Sequence, residues 1–347
     1  GILDAVALLD GSLNTSVEIG SGDAEKAWIQ YTYELPVTIR AVTIASRTGI
    51  PFGKLTASMD GETYHPLVYL PGTQNYRGGR VRTWSVPETK ARFFRLELTG
   101  APPSPAEVIS QTPPGLPDAY SFTEFILHSG SRVHRWEDKA GFSLLFEYGS
   151  TPTPPVPETS VLPARHVVNL SDRMDENGIL SWDVPEGDWT VLRMGYSLTG
   201  AKNRPARPGG LGYEVDKLNE THTRSYMETY LDMLEGSVGP LLGETLQYIL
   251  MDSWEAGMQN WTDDMIREFE SRRGYDPVPF LPAMAGYVVG SAEISDRFLW
   301  DFRRTLVEMF AENHYGTITE LAHEKGMGTY SEASGVSLEV IEDALLN

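Results

Sequence analysis

Residues 246–255 read LQYILMDSWE, a short apolar run that ends in two carboxylates with a tryptophan between them. A run of this length bounded by polar residues is typical of a strand buried on both faces, as in a parallel sheet. Catalytic side chains of such sheets and barrels lie at the C-terminal ends of the strands, where the chain leaves the core. The sequence therefore predicts that Asp252 and Glu255 belong to an active site.

A second run of similar design, MGTYSE at residues 327–332, ends in Glu332. Two consecutive strands of a parallel sheet would bring Glu255 and Glu332 to one rim. Glycoside hydrolysis uses such a pair, in which one acid protonates the leaving oxygen and one carboxylate activates water or attacks the sugar. The structural alternative is that each carboxylate caps the following helix or pairs with an arginine.

Aromatic and amide side chains surround the first acid. Trp254 and Trp261 flank Glu255, and the apolar C–H faces of sugar rings stack on such residues. Gln259 and Asn260 offer hydrogen bonds to hydroxyl groups, and Asp252 is interpreted as a residue that orients or charges the site. Tyr330, two residues before Glu332, completes the predicted substrate-binding set.

The chain divides into a β-rich part, residues 1–150, and an α/β part, residues 151–347. Short, partly alternating segments separated by Gly, Pro, Asp and Asn predict a β-sandwich in the first part, with a hairpin turn at residues 59–62. A Pro-rich linker at residues 151–159 leads to the second part. Helix and strand patterns then alternate, which predicts a parallel sheet or barrel.

The α/β part gives the following element predictions. Three segments are strand-like, at residues 164–170, 179–184 and 188–197. A Gly-rich loop covers 199–212. Helices are predicted at 217–234, with Tyr226, Tyr230, Met233 and Leu234 on one face; at 263–273, capped by Thr262; and at 294–325, stopped by Gly326.

Composition excludes several classes of protein. The formal net charge is −20, from 28 basic and 48 acidic residues, and a field of that sign repels nucleic acid. Cysteine is absent, which excludes disulfides and thiolate metal sites. No apolar stretch reaches the roughly 18 residues that span a membrane. The chain starts without Met or a signal-peptide pattern, so it is expected to be a piece of something longer.

The block at residues 252–262, DSWEAGMQNWT, resembles glycoside hydrolase family 106, the α-L-rhamnosidases. The likeness covers roughly residues 160–347. It continues in these motifs: GDW at 187–189, YEVDKL at 213–218, RRGYD at 272–276, FLP at 280–282 and FLWDFR at 298–303.

The resemblance implies an inverting hydrolase on a (β/α)8 barrel, of which this chain is a part, that removes terminal L-rhamnose from polysaccharides. It implies Ca²⁺ in the active site, with ligands unknown, and a periplasmic or secreted location. Glu255 is then the general acid. The base is expected beyond Asn347, and Glu332 becomes a residue that contacts substrate or calcium.

Residues 1–130 are similar to discoidin-type, galactose-binding-like β-sandwiches, through AWIQY at 27–31, ASMDG at 57–61 and FFRL at 93–96. Such accessory domains bind sugar or brace the barrel. Two alternatives to an inverting rhamnosidase remain open: a retaining glycosidase of another family, and a non-catalytic carbohydrate-binding protein.

Overall fold

The computed structural model describes residues 6–20, 27–72, 80–100, 119–143, 145, 148–203, 206–251 and 256–331. The chain forms two compact units: the first holds residues 1–139, 147–164 and 282–296, and the second holds residues 140–146, 165–281 and 297–347. The N-terminal stretch of the first unit ends at Lys139, residues 147–164 return to that unit, and the predicted boundary at residue 150 stays a prediction. The return of residues 282–296 to the first unit was not predicted, because a linear pattern does not show which distant segments meet.

An antiparallel sheet dominates the first unit, so the predicted all-β character of this region is confirmed. The described strands are β1 Val17–Gly20, β2 Ala27–Ser46, β3 Phe52–Ser58, β4 His65–Pro71, β5 Val81–Leu98 and β6 Ala119–His128, in the order β1-β6-β2-β5-β3-β4. Hydrogen bonds join them into one sheet, and the closed sandwich stays a prediction. The predicted turn at 59–62 is confirmed, since Asp60 Oδ1 accepts the backbone N–H groups of Glu62 and Thr63 at 2.9 Å each.

Strand β2 is 20 residues long and carries irregularities in its pairing. A register shift against β5 lies between Ile39 and Ala41. Before it the core residues Ile29 and Ile39 stand at odd positions, and after it Val42 and Ile44 stand at even positions. Because side chains alternate along a strand, the irregularity keeps both halves facing one hydrophobic core.

A short helix, α1 Trp136–Lys139, carries a buried carboxylate onto this sheet. Glu137 Oε1 accepts the Thr83 hydroxyl at 2.6 Å, and Oε2 accepts the Thr83 backbone N–H at 2.9 Å. Burial raises the pKa of Glu137 to about 7. Glu137 is therefore a group whose charge state couples folding to pH.

We expect Glu137→Gln to flatten the decline in stability toward neutral pH. Between pH 4.5 and about 7 the folded state keeps a proton that the unfolded state has released, so the free energy of unfolding falls as pH rises. The full effect is roughly 3 kcal/mol. Urea titrations from pH 5 to 8 measure the free energy of unfolding of the wild type and the variant. Burial also lowers the pKa of His128 and His134 to about 4, which destabilises the fold toward acid pH, but this effect is the same in both proteins. Equal slopes for the two proteins would contradict the prediction.

The second unit supplies the α/β elements. The helices are α2 Glu220–Val238, α3 Met265–Arg273, α4 Ala292–Phe310, which begins in the first unit, and α5 Thr317–Glu324, with a π-helical turn at Ala311–Gly316 between the last two. Strands β7 Tyr248–Met251 and β8 Gly328–Ser331 pair in parallel. Gly326, at φ 71°, follows α5 and ends the helix as predicted.

The second unit has a hydrophobic core between helices α2 and α5. It contains Met227, Leu231, Ile318, Leu321, Ala322 and Met327. Ile249 and Met251 of β7 pack against it. The helix predicted at 217–234 is present as α2. Of the four residues predicted at helical spacing, Leu234 packs against this core whereas Tyr226, Tyr230 and Met233 are exposed; the buried residues of α2 are Thr223, Met227 and Leu231.

The three strand predictions between residues 164 and 197 are wrong. The structure has short 3-10 turns there, Ala164–His166 and Ser171–Arg173, and a bridge between Met174 and Leu180. Apolar alternation alone does not make a strand, since its backbone groups need a neighbouring strand to pair with. No helix in the described part of the chain is long and apolar enough to cross a membrane.

Candidate active site

The two predicted site-bearing strands are hydrogen-bonded neighbours. Tyr248 pairs with Gly328 and Met251 pairs with Ser331, in parallel register. Both strands therefore end at the same level, with Met251 beside Ser331. The sequence prediction that these two runs share a rim is confirmed for the strands themselves.

Four predicted site residues follow those strand ends directly. Asp252, Trp254, Glu255 and Glu332 lie outside the described residues. Their roles stay predictions. The structure does describe strands β7 and β8, which precede these residues in the sequence, and residues 256–263, which follow Glu255.

Asp216 anchors that segment, and the sequence reasoning did not single it out. Its Oδ1 accepts a hydrogen bond from Gln259 Nε2, and its Oδ2 accepts the Thr262 hydroxyl at 2.6 Å. The backbone N–H of Leu218 also donates to Oδ1, at 3.0 Å. Asp216 thus ties two side chains of the segment to the entrance of helix α2. Its place in the YEVDKL motif was the available signal.

Thr262 does not cap helix α3, contrary to the prediction. Its hydroxyl is committed to Asp216, and Asp264 occupies the position before the first helical residue without a side-chain cap bond. Gly257 has φ 83°, a left-handed conformation that favours glycine and turns the chain just after the strand. The segment is therefore a turn fastened at two points rather than the first turn of a helix.

Asn260 and Trp261 are held by protein contacts. Asn260 Nδ2 donates to the Ala140 carbonyl at 2.9 Å. The Trp261 ring stacks on Phe302 with centroids 6.2 Å apart, and Tyr196 lies 6.3 Å from it in a tilted arrangement. Together with the Gln259 bond, these contacts hold the three side chains in place, and their contact with substrate stays a prediction.

Tyr330 lies on an exposed apolar face of the parallel pair. It is 65% exposed, and its partner Leu250 and the neighbouring Tyr248 are each 64% exposed. The opposite face of β7 packs on the core. Tyr330 is therefore accessible to a ligand at the end of β8, as the prediction requires.

The described residues contain no group of three or more His, Asp or Glu side chains that could hold a metal ion, and the calcium that the family resemblance implies stays a prediction. Asp175 in the acidic turn at 172–177 instead accepts the backbone N–H groups of Asn177 and Ile179. We derive no step through calcium.

Asp216→Asn is expected to lower kcat by roughly tenfold, since small displacements of a site-bearing segment have effects of this order. The Asn amide puts an NH2 donor in place of one carboxylate oxygen, opposite either the Gln259 amide or the Thr262 hydroxyl, both of which donate. Steady-state kinetics of the intact protein that carries this chain, with Tm measured in parallel, test this. Asp264→Asn is the matched control, because the Asp264 carboxylate is exposed and pairs with the exposed Arg267 side chain. An unchanged kcat at unchanged Tm would contradict the positioning function.

A family model described as alpha-L-rhamnosidase, glycoside hydrolase family 106, matches residues 29–347. The solved structure of a rhamnosidase from Novosphingobium sp. PP1Y is 34% identical with a TM-score of 0.73, over 88% of this chain and 28% of that one. A Formosa agariphila protein named "Putative beta-glucuronidase" is 42% identical over 172 residues, which are 50% of this chain and 15% of that protein. The chain thus spans well under a third of the length of either relative.

Proposed function

This chain belongs to glycoside hydrolase family 106, the alpha-L-rhamnosidase family, and from that membership we propose that the protein carrying it hydrolyses terminal α-L-rhamnosides. The observation that carries the proposal is the parallel register of β7 and β8, which ends both predicted acid-bearing strands at one edge. In this proposal that edge carries Glu255, one of the two acids that glycoside hydrolysis requires, together with Glu332, which contacts the sugar.

The proposed mechanism is inverting, with Glu255 as general acid. Glu255 protonates the leaving oxygen while a carboxylate on the other side of the sugar activates water. Gln259 and Thr262, fixed by Asp216, hold the segment that follows Glu255, and Trp261 and Tyr330 provide sugar-stacking surfaces. We propose, from the family resemblance, that the base lies on a strand beyond Asn347 and that Glu332 contacts substrate or calcium.

Three further features belong to the same proposal. The second unit is part of a (β/α)8 barrel, of which β7 and β8 are two strands, and the first unit is a β-sandwich. Ca²⁺ in the active site, which the family resemblance implies, is part of this proposal. A periplasmic or secreted location fits polysaccharide substrates.

We expect the intact protein to release rhamnose from 4-nitrophenyl α-L-rhamnoside with inversion. Proton NMR at early times should then show the β-anomer first. Initial appearance of the α-anomer would indicate a retaining enzyme, whose carboxyl groups lie about 5 Å apart rather than roughly 6.5–9.5 Å.

A second candidate activity comes from the Formosa relative, whose name contains beta-glucuronidase. Parallel assays with 4-nitrophenyl β-D-glucuronide separate the two candidates. If the protein hydrolyses only the glucuronide, the proposed substrate is a glucuronide rather than a rhamnoside. Turnover of neither, together with sugar binding, would favour a non-catalytic carbohydrate-binding protein.

A further inference from the structure

One row of side chains crosses four strands of the sheet in the first unit. Trp28 on β2 pairs with Glu97 on β5, Glu97 pairs with Lys54 on β3, and Lys54 pairs with Tyr69 on β4. Paired residues share a face of the sheet. We call these four residues the outer row.

The outer row points away from the hydrophobic core. The next residues along the strands, Ile29, Leu55 and Leu96, belong to the buried cluster on the opposite face. Trp28 is 54% exposed and Tyr69 is 69% exposed. Since neighbouring strands lie about 4.8 Å apart, the two aromatic residues stand roughly 14 Å apart at the ends of the row.

Charged side chains fill the space between the aromatic ends. Lys54 Nζ lies 3.4 Å from Glu97 Oε2, and the Thr56 hydroxyl donates to Glu97 Oε1 at 3.3 Å. The row therefore presents both hydrogen-bond donors and acceptors at its centre, with charges that cancel.

Arg95 fixes the Trp28 end. Its guanidinium lies 4.7 Å from the centre of the Trp28 ring and 3.8 Å from that of Tyr64. Its Nε donates to Gln30 Oε1 at 2.9 Å, and its Nη2 donates to the Tyr64 hydroxyl at 2.7 Å. An exposed tryptophan held this way is pre-organised, so a ligand that stacks on it meets a smaller ordering cost. Exposed aromatic residues scattered singly are ordinary; two in one register, with a fixed polar centre, are not.

We propose that the outer row binds a neutral polysaccharide chain. Sugar rings stack their apolar C–H faces on Trp28 and Tyr69, and hydroxyl groups between them bond to Lys54 and Glu97. The chain's net charge of −20 opposes a polyanion, and the charges within the row cancel, so a neutral chain is favoured. The proposal rests on the proposed function in taking carbohydrate as the ligand.

Native affinity gels test the proposal with the full chain. Wild-type protein is run through galactan, arabinan, xyloglucan and, as the charged comparison, polygalacturonate. At least one neutral polysaccharide should retard it, and Trp28→Ala or Tyr69→Ala should each weaken binding roughly tenfold, the size expected for a stacking residue at a binding surface. Trp28→Phe should retain most of the binding. Tyr226→Ala, which removes an exposed tyrosine from α2, should behave as wild type.

Three results would overturn the proposal. They are retardation by no neutral polysaccharide, equal retardation of Trp28→Ala and wild type at equal Tm, and stronger retardation by polygalacturonate than by any neutral chain. The gels measure binding without turnover. Loss of hydrolysis in Glu255→Gln with Trp28-dependent binding intact would therefore separate this surface from the catalytic proposal.

Discussion

Glu255→Gln in the intact protein is expected to lower kcat/KM for a natural rhamnoside by roughly 10²–10⁴-fold, the range that general acid catalysis supplies. A glutamine preserves the shape of the side chain and removes the proton that the leaving oxygen needs. For an aryl rhamnoside with a very acidic phenol the loss should be far smaller, because that leaving group departs without protonation. The difference between the two substrates identifies the acid.

Two matched variants sharpen this experiment. Glu270→Gln, on the exposed side of α3, should leave kcat/KM unchanged for both substrates. Glu332→Gln should lower kcat/KM by the same factor for both substrates if Glu332 contacts the sugar. Equal loss on both substrates in Glu255→Gln would exclude Glu255 as the acid and would make it the base or a binding residue.

Asp296→Ala is expected to have the largest effect on stability, a loss of about 3–5 kcal/mol in the free energy of unfolding. Asp296 Oδ1 lies 2.7 Å from Lys139 Nζ, in a pair whose side chains are 16% and 0% exposed. Asp296 Oδ2 also accepts the backbone N–H of Thr153 at 2.7 Å. Removing the carboxylate leaves the Lys139 ammonium buried without its counter-charge.

Lys139→Met should be milder, because the remaining carboxylate keeps its bonds to Thr153 and is partly exposed. Burial lowers the pKa of Lys139, so in Asp296→Ala the amine can shed its proton at high pH, and the destabilisation should shrink there. Urea unfolding of the two single variants and the double variant forms a thermodynamic cycle. Lys325→Met is the surface control, since its partner Glu235 is exposed and little change is expected. A cycle without coupling would show that the pair adds nothing to the first unit.

Local sequence patterns predicted the elements that have local causes. The apolar runs at 246–251 and 327–331 became the parallel strands β7 and β8, the turn at Asp60 closed its hairpin, and Gly326 ended its helix. Each depends on residues next to one another in the chain. The family block around Trp261 gave membership in the same way, because eleven consecutive residues carried the likeness.

The tertiary structure alone decided which distant groups meet. Asp216 acquired its function only because folding brings it to Gln259 and Thr262, and the same contact removed the predicted helix cap. Packing against α5 determined which side of α2 is buried. In the described part of the chain, the segments predicted as strands before residue 200 form an isolated bridge between Met174 and Leu180 instead of strands. The register of four separated strands assembled the outer row. The sequence by itself thus determined the family, the local elements and the strands that precede the predicted acids. The contacts that hold the segment after β7 in place depend on residues far apart in the chain, and no local periodicity encodes such contacts.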